Sequence, residues 1–203
     1  MWRYHPLLQA YLNMTKKFPL TQEPSLRADA ARNRERILAA AEEVFLERGA
    51  DASLDDIAKR AKVGIGTLYR RFPTRDALLA ATNDERLMAL AEASRGRDDK
   101  LDPDASVRAF VRDLVAHASH YRGLAAALGT VLKSGTRGCH ASGEEARRLL
   151  LRAQKAGVIR RDISVEDLVC MVTAISLSIE QGSTTKSRIA HLTDLFLDGV
   201  GVR

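Results

Sequence analysis

Apolar positions recur along this chain at three- and four-residue spacing, and no stretch alternates as a strand would. Ile37, Ala40, Ala41, Val44 and Phe45 form the first stripe, which predicts a helix over residues 29–48 ended by Gly49. Leu54, Ile57, Ala58 and Ala61 give a short second helix one apolar face. Ser53 is placed to cap that helix, and Asp56 completes a capping box. Gly64 and Gly66 permit a turn that bulkier residues would resist. Residues 67–72 then make another short helix, with Leu68 and Phe72 on one side and Tyr69, Arg70 and Arg71 on the other. Pro73 breaks the chain, and Thr74 can cap a helix carrying Leu78, Leu79 and Leu87 to about residue 93.

Residues 94–104 are polar, broken by Gly96 and Pro103, and read as a linker. Beyond it the helical period returns. Val107, Phe110, Val111, Leu114, Val115 and Ala118 form one stripe; Leu124, Leu128, Val131 and Leu132 form the next. Residues 133–143 contain three glycines and read as a loop. Ser142 and Glu145 then make a capping box for a helix to Ala156. Ser164 and Asp167 make another, for a helix bearing Val165, Leu168, Val169, Val172, Ile175 and Ile179. That helix is apolar almost all round, is expected to be deeply buried, and ends at Gly182. Ile189, Leu192, Leu195, Phe196 and Val200 mark the last. The fold class is therefore all-α, with no internal repeat.

Composition adds limits. The chain has 203 residues, enough for one good-sized core or two small domains. Residues 1–28 lack periodicity, are interrupted by Pro6, Pro19 and Pro24, and read as a flexible N-terminal arm; Met14 is a second possible start. No apolar run reaches the ~18 residues of a membrane span. The first residues lack a signal-peptide plan. Cys139 and Cys170 make no disulfide framework, so a cytoplasmic location is expected. Residues 1–80 hold 14 Lys/Arg against 10 Asp/Glu, a balance of +4; the rest hold 18 against 16, or +2. The excess sits with the paired short helices. Between Asp56 and Asp76 there is no acid, but Lys59, Arg60, Lys62, Arg70, Arg71 and Arg75 are all basic. Two short helices around a tight turn, with one-signed charge, describe a helix-turn-helix whose second helix enters the DNA major groove.

The residues that carry this pattern resemble the DNA-binding domain of the tetracycline-repressor-like (TetR) family of bacterial transcriptional regulators. They are Ile37 to Ala41, Phe45, Arg48-Gly49, Ile57-Ala58, Val63 to Phe72, Pro73, Arg75 and Ala77 to Leu79. Three positions depart from the family pattern: Lys62 stands where a small residue, often Gly, is usual, Ile65 where a polar or basic residue is common, and Arg71 where His or Tyr is frequent. The resemblance implies a three-helix DNA-binding domain over residues 29–80. It also implies a helical regulatory and dimerisation domain over residues 81–203. On it, Ser53, Tyr69, Arg71 and Arg75 are expected at phosphates, and Gly64, Ile65, Thr67 and Arg70 nearest the base edges. Gly66 would allow close backbone approach, and Ile65 could pack on a thymine methyl. The resemblance further implies an inverted-repeat operator, a homodimer built on helices 165–181 and 185–199, and a small-molecule effector. Val169, Ile175, Ile179, Leu192 and Phe196 are the candidate dimer contacts. Phe110, Leu114, His117, Tyr121, Leu128 and Met171 mix apolar bulk with polar tips and are the candidate effector pocket.

Little else in the chain suggests chemistry. His117 and His120 are three apart, with Asp113 one turn earlier, but no HExxH or CxxC accompanies them. A helical metal-dependent enzyme built on them remains an alternative, testable by bound metal or turnover. So does a nonspecific nucleoid-type DNA binder, which random DNA would compete away. Cys139-His140 reads as incidental or as a redox-sensing thiol, and Cys170 as a small core residue. Gly64-x-Gly66 is no phosphate loop, since no strand precedes it. No catalytic set, metal site or cofactor is expected.

Overall fold

A computed structural model describes residues 23–180 and 185–202, which form nine helices. They are α1 Glu23–Arg48, α2 Leu54–Arg60, α3 Ile65–Arg71, α4 Arg75–Arg95, α5 Pro103–Ala118, α6 Leu124–Leu132, α7 Arg137–Lys155, α8 Val165–Glu180 and α9 Lys186–Val200. α1, α2, α3 and the start of α4 close around Ile37, Phe45, Ile57, Leu68, Phe72 and Leu78. The rest of α4 packs with α5 to α9 around Phe110, Leu114, Leu124, Leu128, Leu149 and Met171. α4 thus belongs to both halves. Most of the expected arm, residues 1–22, lies outside the described residues, as does Gly182; residues 23–28 are the first turns of α1.

Several caps follow the sequence. Thr74 accepts from the Ala77 amide at 3.1 Å and Asp102 from the Ala105 amide at 2.8 Å. Ser164 and Asp167 make a reciprocal box, the Asp167 carboxylate on the Ser164 amide at 2.8 Å and the Ser164 hydroxyl on the Asp167 amide at 3.1 Å. Ser53 stands at the N-cap of α2, but its side chain makes no capping bond, and Asp56 pairs instead with Arg48.

The stretch 133–143 departs most from expectation. Only residues 133–136 are a loop: α7 starts at Arg137, capped by Thr136. Gly138 is a packing residue, because a Cβ there would lie 2.1 Å from the Asp84 carbonyl oxygen of α4. Its amide donates to the Asp84 carboxylate at 2.5 Å. Ser142 and Glu145 cap nothing. The Ser142 hydroxyl donates to the Leu87 carbonyl at 2.9 Å, and buried Glu145 accepts from Ser94 at 2.6 Å and Arg95 at 3.2 Å, both on α4. Burial pushes the Glu145 carboxyl pKa up, but Arg148 and Ser94 bring it net below its ordinary value. Glycine and short polar residues that signal loops here let two helices approach and bond across their seam.

α8 is buried on one face only, through Leu168, Met171, Val172 and Ile175; Cys170, Ala174 and Ser178 are exposed. The expected roles of the two cysteines therefore reverse, with Cys139 buried and Cys170 exposed. Arg108 binds Asp104 at 2.6 Å, Asp194 at 3.2 Å and Asp198 at 2.6 Å, and Arg112 binds Asp194 at 2.6 Å. The pairs to Asp194 and Asp198 hold α9 on α5 and leave its other side outward. Among the described residues no helix is long and apolar enough to cross a membrane.

Candidate functional site

The turn between α2 and α3 is set by hydrogen bonding. The Val63 amide donates to the Ala58 carbonyl at 3.0 Å, and the Lys62 amide to the Lys59 carbonyl at 3.1 Å. Those two bonds are a Schellman motif, whose central residue is left-handed. That residue is Lys62, with φ of 54°. Gly64 has an ordinary φ of −68°, so neither it nor helical Gly66 supplies the turn. Nothing lies within 4 Å of a Cβ built at either. Their missing side chains leave open space outward, where a DNA surface could come close.

α3 is anchored by Leu68, which is fully buried, and by Phe72 behind it. The opposite side presents Ile65, Tyr69 (48% exposed), Arg70 and Arg71, with Gly64, Gly66 and Ser53 exposed beside them and Thr67 partly so. Arg70 donates to the Thr67 hydroxyl at 3.1 Å, and Arg71 to the Ala30 carbonyl at 2.9 Å. Arg60 is turned onto Glu47, at 2.6 and 2.9 Å. Arg75 differs from the phosphate contact expected of it. Its guanidinium donates to the Ala50 carbonyl at 3.0 Å and the Ala52 carbonyl at 2.5 Å, stapling the α1–α2 turn. Arg36, which the sequence did not single out, donates to the Ala61 carbonyl at 3.1 Å and the Lys62 carbonyl at 2.8 Å. Lys62, a non-glycine residue at the left-handed turn position, was the only signal that could have found it.

This surface is joined to the larger half at one corner. The Ala50 amide donates to the Arg122 carbonyl at 2.7 Å, and the Gly123 amide to the Glu180 carboxylate at 3.0 Å. Phe45 stacks on Tyr121 with ring centroids 5.7 Å apart. The end of α8 and the helix-turn-helix therefore meet across the α5–α6 turn.

The larger half holds a cavity of about 520 Å³ between α6, α7 and α8. Leu114 lines it; Phe110, His117, Tyr121 and Leu128 do not and are buried in the core, and Met171, also buried, lines the groove between α8 and α9 instead. The helix stripes carrying them face the bundle axis, while the cavity lies between the outer helices. Its walls are small or aliphatic: Gly129, Gly143, Ala146, Val169, Ala174 and Leu177 among others. Val169 thus faces the cavity. His117 and His120 do not share a helix, since α5 ends at Ala118. Burial, Arg86 and His120 lower the His117 pKa to about 4, and its Nε2 has no hydrogen-bond partner. Asp113 is paired with Arg97 at 2.6 Å. Among the described residues no group of three or more His, Cys, Asp or Glu could hold a metal ion. A second, open groove of about 660 Å³ runs between α8 and α9, lined by Cys170, Ile175, Leu192, Phe196 and Leu195, the last 58% exposed. Ile179 packs against the core, outside that groove.

Known proteins share both halves. Residues 37–82 match the family described as bacterial regulatory proteins, tetR family, and residues 102–202 match the transcriptional regulator SbtR-like C-terminal domain. The TetR transcriptional regulator SCO0520 from Streptomyces coelicolor is 36% identical; the alignment covers 83% of this chain and 98% of that one, with a TM-score of 0.52. RolR (NCGL1110), solved in complex with resorcinol, is 24% identical over 87% of this chain and 91% of its own, with a TM-score of 0.66. The HTH-type transcriptional regulator SAR0097 from Staphylococcus aureus (strain MRSA252) is 42% identical over 64 residues, 30% of this chain. That match spans about a third (33%) of this curated relative's length. With an exposed helix-turn-helix joined to a helical domain, and near full-length likeness to SCO0520, the chain belongs to the TetR family of DNA-binding transcriptional regulators.

Proposed function

We propose that this regulator is a repressor that binds an inverted-repeat operator as a homodimer and releases it when a small molecule enters the cavity between α6, α7 and α8. The observation that carries the DNA contact is α3, pinned by Leu68 and Phe72 while Ile65, Thr67, Tyr69, Arg70 and Arg71 face outward beside two open glycines. Arg70 and Thr67 are the base readers; Tyr69 and Arg71 position the helix on phosphates. The α8–α9 groove is the dimer face, since its apolar floor and exposed Leu195 would be covered by a second copy. The cavity has the size and apolar lining of small-molecule sites, and RolR, of the same fold, has been solved with resorcinol. α7 supplies both a cavity wall and the α4 seam at Gly138, Ser142 and Glu145, so a ligand that displaces α7 acts on the helix leading to the helix-turn-helix.

The test is selection of genomic DNA by the purified chain, followed by light scattering. A palindromic motif and a mass near twice 22.3 kDa are expected. Enrichment of no motif over random DNA would leave the nonspecific binder standing instead.

A further inference from the structure

The chain has two cysteines, and both line the cavity between α6, α7 and α8. Cys139 comes from the first turn of α7 and Cys170 from α8. The Cys139 sulfur accepts from the Thr136 hydroxyl at 2.9 Å, lies 3.2 Å from the Ser134 hydroxyl, and donates to the Val131 carbonyl at 2.8 Å. The sulfur thus sits between the Thr136 and Ser134 hydroxyls in the first turn of α7, on the wall of the cavity. Lys133 and Glu166 are the only charged residues of the lining, and both are exposed. The remaining wall is apolar or uncharged, so the site favours an uncharged organic molecule.

We propose that the cavity takes apolar α,β-unsaturated carbonyl compounds and that Cys139 captures them covalently. This rests on reading the cavity as the effector site. The sulfur gives its electron pair to the β-carbon and forms a C–S bond. The C=C pair shifts to the α-carbon, which gains one proton for the one the thiol loses. Nothing is oxidised and no group leaves. The adduct removes the bond from Cys139 to Val131 and adds bulk in the first turn of α7. The preceding residue, Gly138, is pressed on Asp84 with no room for a methyl group. Displacement there passes to α4 and so to the DNA-binding half. Cys170, exposed on α8 and also part of the α8–α9 groove, is removed by Cys170→Ser so that reaction there does not enter the readout.

The experiment treats the full chain with N-phenylmaleimide, or with a maleimide carrying a sulfonate, and maps adducts by mass spectrometry, native and in urea. DNA affinity is measured alongside on fragments the untreated chain selects. Native Cys139 should prefer the phenyl reagent about tenfold beyond the ratio in urea. In the Cys170→Ser background, where the α8–α9 groove carries no thiol, affinity should fall on treatment, and adding Cys139→Ser or Cys139→Ala should abolish that fall. Gly143→Leu, at a position where a Cβ meets nothing within 4 Å, should fill the cavity and slow labelling. Native Cys139 left unlabelled overturns the site. Labelling with unchanged affinity overturns the switch. If the untreated chain selects no DNA, the operator reading falls separately, and the adduct pattern alone decides the site.

Discussion

Arg36 holds the carbonyl oxygen of Lys62 at 2.8 Å, across 26 residues, on the one non-glycine residue with positive φ among those described. The left-handed conformation costs an L-residue about 1–2 kcal/mol. The Schellman bonds and Arg36 offset that cost, and together they fix the angle at which α3 leaves α2. Lys62→Gly should therefore raise stability by about 1 kcal/mol. Chemical denaturation checks it: a midpoint that fails to rise, with an unchanged slope, would show that the turn carries no such strain. Arg36→Ala should lower the midpoint, since two hydrogen bonds of about 0.5–1.5 kcal/mol each are lost.

Arg70 and Arg75 are both arginines of the helix-turn-helix, but their guanidiniums are engaged differently. Arg70 is exposed at α3, whereas Arg75 is committed to the Ala50 and Ala52 carbonyls. Arg70→Ala should cost about 1–3 kcal/mol of DNA affinity and relax preference at one symmetric pair of base positions. Arg75→Ala should instead lower folding stability by about 1–3 kcal/mol, because two carbonyls lose their donor. Binding to single-base operator variants, with thermal melts of both proteins, separates the two. Equal melting temperatures with a lowered salt slope for Arg75→Ala would return it to the phosphate role.

Gly138 and Gly143 share a helix and have opposite surroundings. A Cβ at Gly138 would meet Asp84 backbone at 2.1 Å; at Gly143 it would meet nothing within 4 Å. Gly138→Ala should destabilise by about 1–3 kcal/mol or more, as overpacking does. Gly143→Ala should stabilise by up to about 1 kcal/mol through helix propensity. Circular dichroism melts in parallel check the pair, and like shifts in both would discredit the α4–α7 seam.

What the sequence could show depended on periodicity and on local chemistry. The apolar stripe of α1 and the Leu68–Phe72 spacing place the DNA-binding core directly, because each reports one helix against one core. The Ser164–Asp167 box is equally local. The α4–α7 seam was not legible, because Gly138, Ser142 and Glu145 answer to residues more than fifty positions away. Their glycine and capping patterns look the same whether they end a helix or admit another. The cavity between α6, α7 and α8 was not legible for a related reason. Phe110, His117 and Tyr121 have the chemistry of a pocket, but a stripe facing the bundle axis becomes core. The space lies instead where α6 and α7 carry Gly129 and Gly143, and glycine in sequence reads as a break.

His117 offers a test of the core that the sequence offered as a metal ligand. Burial, then Arg86 and His120, lowers its pKa from 6.5 to about 4. The unfolded chain thus takes up a proton on His117 at a pH where the folded chain does not. The neutral side chain favours folding fully above about pH 6.5, and that contribution fades as pH falls towards 4, where both states are protonated. The fall corresponds to at most ~3 kcal/mol. Carboxylates titrate in the same window, so the comparison is with His117→Leu, which keeps an apolar side chain there and removes the titration. Urea midpoints measured from pH 7.5 to 4 should fall more steeply for wild type than for the variant between about pH 6.5 and 4. Parallel curves would mean that His117 is solvated in the folded chain, and that water reaches the core beside Tyr121.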